Sequence, residues 1–305
     1  MSTEVSKTNE DMLGIAAVER ETGLSKDTLR VWERRYGFPK PSRDANGERS
    51  YPSDQVHLLR RIRRLVDQGA RPGRIFAMGI DAVEARARGE TPTPPLGEVP
   101  AEIGLLRGHR IAELRSLLEQ AALRGGLYEF VTATAAPLTA QVGEAWARGE
   151  LQVYEEHLFS EQLQAVLRGA IARLDGAGAL PKVVLSTLPG EQHGLGLLMA
   201  QAVFALEGAG CVSLGTQTPV RELADAVRAE GAHIVALSTS GSYPAGQLKD
   251  GVAQLRAALP AEVELWCGGG GSARLRQPAP GVRVLSDLAG IRDALDAWRE
   301  ARASA

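Results

Sequence analysis

The sequence predicts a multidomain chain: a mostly α winged helix-turn-helix, a four-helix bundle, and an α/β doubly wound parallel sheet of Rossmann-like type. Three observations predict it. The chain opens with two short helical patterns joined by a glycine turn and followed by a small hairpin. Its middle is Ala/Leu-rich and without strand character. Its last third alternates short apolar strands with helices. The implied boundaries are a head at 1–78, a linker at 79–99, the bundle at 100–178 and the sheet domain at 179–305. A chain of 305 residues is long enough for two or three separate cores.

In the head, Ile15, Ala16, Val18 and Leu24 have helical spacing. Gly23 breaks that pattern, and Ser25 caps a second helix whose first turn is Lys26-Asp27-Thr28. This helix turns Leu29 and Trp32 inward and Arg30, Arg34 and Arg35 outward. Gly37-Phe38-Pro39-Lys40-Pro41 is too proline-rich to be helix. Arg43 to Tyr51, centred on Asn46-Gly47, reads as a hairpin between two short strands. Ser53 then caps a helix with an apolar stripe of Val56, Leu59, Ile62 and Leu65.

Thr91-Pro92-Thr93-Pro94-Pro95 marks the linker as an extended spacer. The bundle segment is punctuated at Gly125-Gly126, Pro137 and Gly149. In the last third the strand candidates are 182–186, 210–214, 233–238, 264–267 and 282–285. Helices are expected over 195–209, 220–230, 245–258 and 288–302. Ligands of such sheets bind at the carboxyl ends of the strands. The segments Leu188–His193, Gly215–Pro219, Ser238–Tyr243 and Gly268–Ser272 therefore hold the candidate binding residues.

Charge is unevenly distributed. Residues 1–78 carry 15 Lys and Arg against 11 Asp and Glu, and the remainder 20 against 26. A basic head on an acidic body is expected where only the head meets phosphate. Cys211 and Cys267 lie in apolar runs and read as buried reduced thiols. A polar N-terminus and the lack of a long apolar run imply a cytoplasmic protein without a membrane span. No nucleophile–base pair or P-loop carries a motif, so the chain does not read as an enzyme.

The segment Trp32-Glu33-Arg34-Arg35-Tyr36-Gly37-Phe38-Pro39-Lys40-Pro41-Ser42-Arg43, followed by Arg49-Ser50-Tyr51, resembles the MerR family of winged-helix regulators. The resemblance implies binding of double-stranded operator DNA by a homo-oligomer, a dimer or tetramer. Lys26, Thr28 and Arg30 would face base edges in the major groove. Arg34, Arg35, Arg43, Arg49 and Tyr51 would contact the backbone, fixing register rather than reading sequence.

A MerR protein of the simplest kind ends in a dimerising helix, and this chain does not. Glu191-Gln192-His193-Gly194-Leu195-Gly196 resembles the Asp/Glu-x-His-x-x-Gly signature of cobalamin-binding modules. Those modules follow it with Ser-x-Leu and then Gly-Gly. Ser238-Thr239-Ser240 and Gly268-Gly269 fall in the corresponding places, with Ser240 where Leu is usual. The resemblance implies that His193 is the lower axial ligand of cobalt, a metal that imidazole suits. Glu191 would tune it by hydrogen bonding. Gly194, Gly196, Gly268 and Gly269 would give the displaced nucleotide tail backbone room.

Trp146, nine intervening residues, then Glu156-His157 resembles the Trp-x9-Glu-His motif of the CarH/LitR family of B12-dependent photoreceptor repressors. In that family the bundle caps the upper face of adenosylcobalamin and the Trp packs on the adenosyl group. Val153 belongs to the same cap. The family implies a light switch, in which a tetramer represses in the dark and falls apart once light breaks the cobalt–carbon bond. Where the family's photoreceptors have a His after the Trp, this chain has Ala147, and His157 is the nearest candidate to replace it. Two other readings stand beside this one. One is a MerR-type regulator answering a protein partner, or another cobalamin form without light. The other is a corrinoid methyl carrier, in which a DNA-binding head has no role.

Overall fold

The computed structural model describes residues 12–44, 47–67, 72–77, 101–147, 150–174 and 180–303. The expected linker, and Asn46 of the wing turn, lie outside them. Two compact units form: residues 1–99 with 143–153, and residues 100–142 with 154–305.

The first described element of the head is a strand the sequence pattern did not predict, β1 (Met12–Gly14). Helices α1 (Ile15–Thr22) and α2 (Lys26–Tyr36) follow. Gly23 ends α1 in a left-handed conformation at φ 66°, which a side chain would oppose. The Ser25 side chain then accepts from the Thr28 N–H and starts α2. Strands β2 (Ser42–Arg43) and β3 (Arg49–Pro52) are the wing, and β1 pairs with β3 to complete a three-stranded antiparallel sheet. Helix α3 (Ser53–Asp67) buries Val56, Leu59 and Ile62 against Val18, Leu29, Trp32 and Phe38. A short α4 (Pro72–Ala77) adds Ile75 and Phe76. The Phe76 ring stacks on Tyr36 and meets Trp32 edge-on, so both aromatics of the motif are packing residues.

The helical segment comprises α5 (Ala101–Arg107), α6 (Ile111–Glu129), α7 (Ala136–Ala147) and α8 (Val153–Ile171). The expected break at Gly126 is present, with φ 74° and ψ 167° inside α6. Pro137 does not break the helix. A π-helical stretch, Phe130–Ala135, precedes it and leads directly into α7. Widened turns of that kind accommodate a residue that cannot donate to the regular ladder.

The sheet has β4 (Lys182–Ser186), β5 (Gly210–Ser213), β6 (Ile234–Ser238), β7 (Glu264–Gly268) and β8 (Val282–Val284), all parallel, in the order β5-β4-β6-β7-β8. Between them run α9 (Leu195–Leu206), α10 (Val220–Glu230) and α11 (Ala245–Ala258), and α12 (Gly290–Ala303) closes the chain. Strands β4 and β6 are almost wholly buried, which is why Val183-Val184-Leu185 and Ile234-Val235-Ala236-Leu237 read as continuous apolar runs rather than alternating ones. The strand order reverses at β4, so the loop after it opens at the crevice where such sheets bind ligands. Among the described residues no helix is long and apolar enough to cross a membrane. Cys267 is buried and Cys211 half-buried; both are unpaired thiols, and burial pushes each up to about 12.

Candidate functional site

The loop leaving β4 begins at Ser186 and Thr187, both buried polar residues. Thr187 Oγ1 donates to the Glu191 carbonyl at 2.7 Å and accepts from the Gln217 N–H at 2.8 Å. Ser186 Oγ reaches Thr218 Oγ1 at 2.8 Å. Tyr243, buried, donates its hydroxyl to the Pro189 carbonyl at 2.9 Å. These bonds fix the loop between the ends of β4, β5 and β6. The sequence reading placed Pro189, Gln217, Thr218 and Tyr243 within its candidate segments but left out Ser186 and Thr187, which lie where a strand ends.

That frame holds Glu191 with its side chain 1% exposed. Its Oε1 accepts from the His193 N–H at 3.0 Å and from His193 Nδ1 at 2.6 Å. Its Oε2 accepts from the Ser240 N–H at 2.8 Å and the Ser240 hydroxyl at 2.7 Å. Burial pushes this carboxyl up, but the His193 and Ser240 hydrogen bonds outweigh it and hold it at about 2. Glu191 is therefore an acceptor at any ordinary pH, and His193 Nδ1 must carry the hydrogen between them. The lone pair then lies on Nε2, and the imidazole is 66% exposed. Ser240, which departs from the usual Leu, is here the second anchor of the carboxylate.

The remaining glycines and Ser238 converge on the same strand ends. A Cβ on Gly196 would lie 2.9 Å from Ser238 Oγ, and one on Gly269 would lie 2.4 Å from the Thr239 carbonyl oxygen. At Gly196 and Gly269 the chain itself therefore takes the room that the sequence reading assigned to a ligand. Gly268 faces open space. Gly271, inside the candidate segment Gly268–Ser272, is equally crowded, with a Cβ meeting the Ser240 carbonyl oxygen at 2.5 Å.

The donor chemistry fits a cobalt macrocycle. Among the described residues no three His, Cys, Asp or Glu side chains gather as a metal cage. A single oriented imidazole serves a metal whose other ligands arrive with it, and the carboxylate behind it is the usual partner of a ligating histidine.

The Trp146…Glu156-His157 motif is divided between the two units. Trp146 and Val153 group with the head, whereas Glu156 and His157 lie on α8 in the other unit. Glu156 Oε1 accepts from Ser160 Oγ at 2.7 Å, and His157 is exposed. Ala147 is buried.

In the head, the start of α2 presents Lys26, Thr28 and Arg30, and Arg34, Arg35 and Arg43 are exposed. Lys26 lies 3.8 Å from Glu19, and Arg30 3.3 Å from Asp27. Arg43 Nη1 donates to the Gly47 carbonyl across the wing turn at 2.7 Å. One wing residue differs from the sequence reading. Tyr51 is fully buried and its hydroxyl lacks a hydrogen-bond partner among the described residues, so it is a core residue and not a DNA contact. Alternation along β3 places Arg49 on the same side of the strand as Tyr51. There Arg49 Nε donates to Glu33 Oε2 of α2 at 2.8 Å, so its charge is already partnered.

Fold and site together define a winged helix-turn-helix regulator whose head is followed in the chain by a corrinoid-type module. Comparison with known proteins agrees. Residues 13–76 match the MerR HTH family regulatory protein, and residues 105–169 match the B12 binding domain. The chain is 30% identical over 257 residues to the HTH-type transcriptional repressor CarH of Myxococcus xanthus, covering 81% of this chain and 85% of that one. It is 31% identical over 236 residues to the repressor CarA of the same organism, covering 74% and 76%. The chain belongs to the CarH family of HTH-type transcriptional repressors. The Methanosarcina barkeri monomethylamine corrinoid protein shares the fold over 65% of this chain and 96% of that one, with a TM-score of 0.52 at 15% identity.

Proposed function

We propose that this chain is a cobalamin-controlled transcriptional repressor that binds operator DNA as a homo-oligomer and answers light through adenosylcobalamin. The observation that carries the proposal is the exposed His193 imidazole held by the buried Glu191 carboxylate at the carboxyl end of a parallel sheet. When bound, adenosylcobalamin supplies a cobalt–carbon bond that green light can break. The chain's own part is positional. His193 would hold the cobalt through Nε2. Glu191 sets the tautomer and ring plane, and Ser240 keeps Glu191 ionised and in place. Gly268 leaves open space at the end of β7 beside Ser238. By the family resemblance, Trp146, Val153, Glu156 and His157 would be further cofactor-binding residues.

The output follows from avidity. One head on DNA is a weak ligand, and several linked heads bind far more tightly, so dissociation of an oligomer releases the operator. Lys26, Thr28 and Arg30 would read bases, while Arg34, Arg35 and Arg43 would hold the backbone. Ala147 favours a second reading at one point only, a family member that retains cobalamin control without the same capture of cobalt from above.

The test is to reconstitute the protein with adenosylcobalamin in the dark, then record absorption and size-exclusion mass before and after green light. A red oligomer that dissociates on illumination supports the full proposal. A red oligomer indifferent to light supports the second reading, and a protein that stays colourless defeats both.

A further inference from the structure

Helix α2 carries one apolar side chain that the fold does not use. Val31, its sixth residue, is 40% exposed, and no other large apolar side chain is exposed among the described residues of the head. Leu29 and Trp32 supply the inward stripe of α2, and Val31 lies outside the cluster they join. A β-branched residue at an exposed helix position is also a poorer helix former than alanine or leucine. Neither packing nor helix propensity accounts for it.

Its neighbours on the helix surface define what that face suits. Residues three and four positions apart share a face. Asp27 precedes Val31 by one turn, Arg34 and Arg35 follow it by one turn, and all three are exposed. Asp27 lies 3.3 Å from Arg30, which stands beside Val31. Phosphate repels a carboxylate, so the part of the face with Asp27 and Val31 suits base edges, while the guanidinium groups beyond it suit the backbone. In the major groove thymine alone presents an apolar group, its C5-methyl. Valine matches that group and has no hydrogen bond to offer any other base edge.

We propose that Val31 packs on the C5-methyl group of a thymine in the site each head occupies, and so is a specificity-determining residue of the head. The inference rests on the operator-binding reading above and names a base feature that the head recognises. The contact replaces two hydrated apolar surfaces with one dry one, so it favours thymine over cytosine at that position and over any base without the methyl group. Removing one buried methyl group corresponds to about a fourfold change in affinity.

The experiment selects duplexes from a random pool with the full-length protein in the dark, with and without adenosylcobalamin. The enriched duplex is then rebuilt with uracil in place of thymine, one position at a time, which removes only the methyl group. Binding is titrated for wild type and Val31→Ser. The expected result is one position per head where uracil weakens wild type about fourfold and leaves Val31→Ser unchanged. Uracil elsewhere should act on both proteins alike. Val31→Ala, which favours the helix, serves should Val31→Ser not fold. A wild type indifferent to uracil at every position overturns the proposal without recourse to a variant. A sensitive position whose effect persists in the folded variant overturns it too. A flat uracil scan with a variant that changes the size-exclusion mass without DNA assigns Val31 to contact between copies of this chain, and overturns the base contact. Failure of wild type to enrich any duplex overturns the operator reading and the base contact together. Enrichment with no uracil effect that depends on residue 31 overturns the base contact alone.

Discussion

Replacing Glu191 with Gln tests the centre of the site by its dependence on pH. The carboxyl is held at about 2 against an ordinary 4.5. At roughly 1.4 kcal/mol per unit, that depression corresponds to about 3 kcal/mol of stability. The folded state favours the ionised form, so this contribution is complete above about pH 4.5 and fades as the pH falls toward 2. Glu191→Gln keeps the shape and cannot carry the charge. Urea unfolding at pH 7 should show the variant less stable by about 3 kcal/mol. At pH 4 and pH 3 the gap should narrow by about 1.4 kcal/mol per unit, because the wild type loses what the variant never had. A gap that stays constant with pH would refute the reasoning, since the loss would then come from packing rather than from a buried carboxylate held by His193 and Ser240.

Other predictions follow from the same geometry. Gly269→Ala places a Cβ 2.4 Å from a carbonyl oxygen at φ 88°, so thermal unfolding should show a loss of about 2 kcal/mol or more. Gly268→Ala, which meets nothing within 4 Å, should cost less than about 1 kcal/mol of stability. Tyr51→Phe removes a buried, unpartnered hydroxyl, so stability should hold or rise and operator affinity should stay the same in a binding titration. Arg43→Ala should weaken operator binding and reduce the slope of log affinity against log salt by about 1, as loss of one phosphate contact does.

Much of this was legible in the sequence, for identifiable reasons. A parallel strand buried on both faces leaves an unbroken apolar run, and Val183-Val184-Leu185 and Ile234-Val235-Ala236-Leu237 announced β4 and β6 accordingly. Ser25 and Gly23 marked the turn of the head because capping and left-handed backbone need those residues. Strand β1 left no trace, since three residues are too few to show alternation. Tyr51 was misplaced because a motif gives order along the chain and not the side a residue takes. Its period-2 relation to Arg49, which faces Glu33, holds the missing information. The partners of Glu191 were half legible. His193 stands two residues away, but Ser240 is contributed by the end of another strand, and only the sheet brings it there.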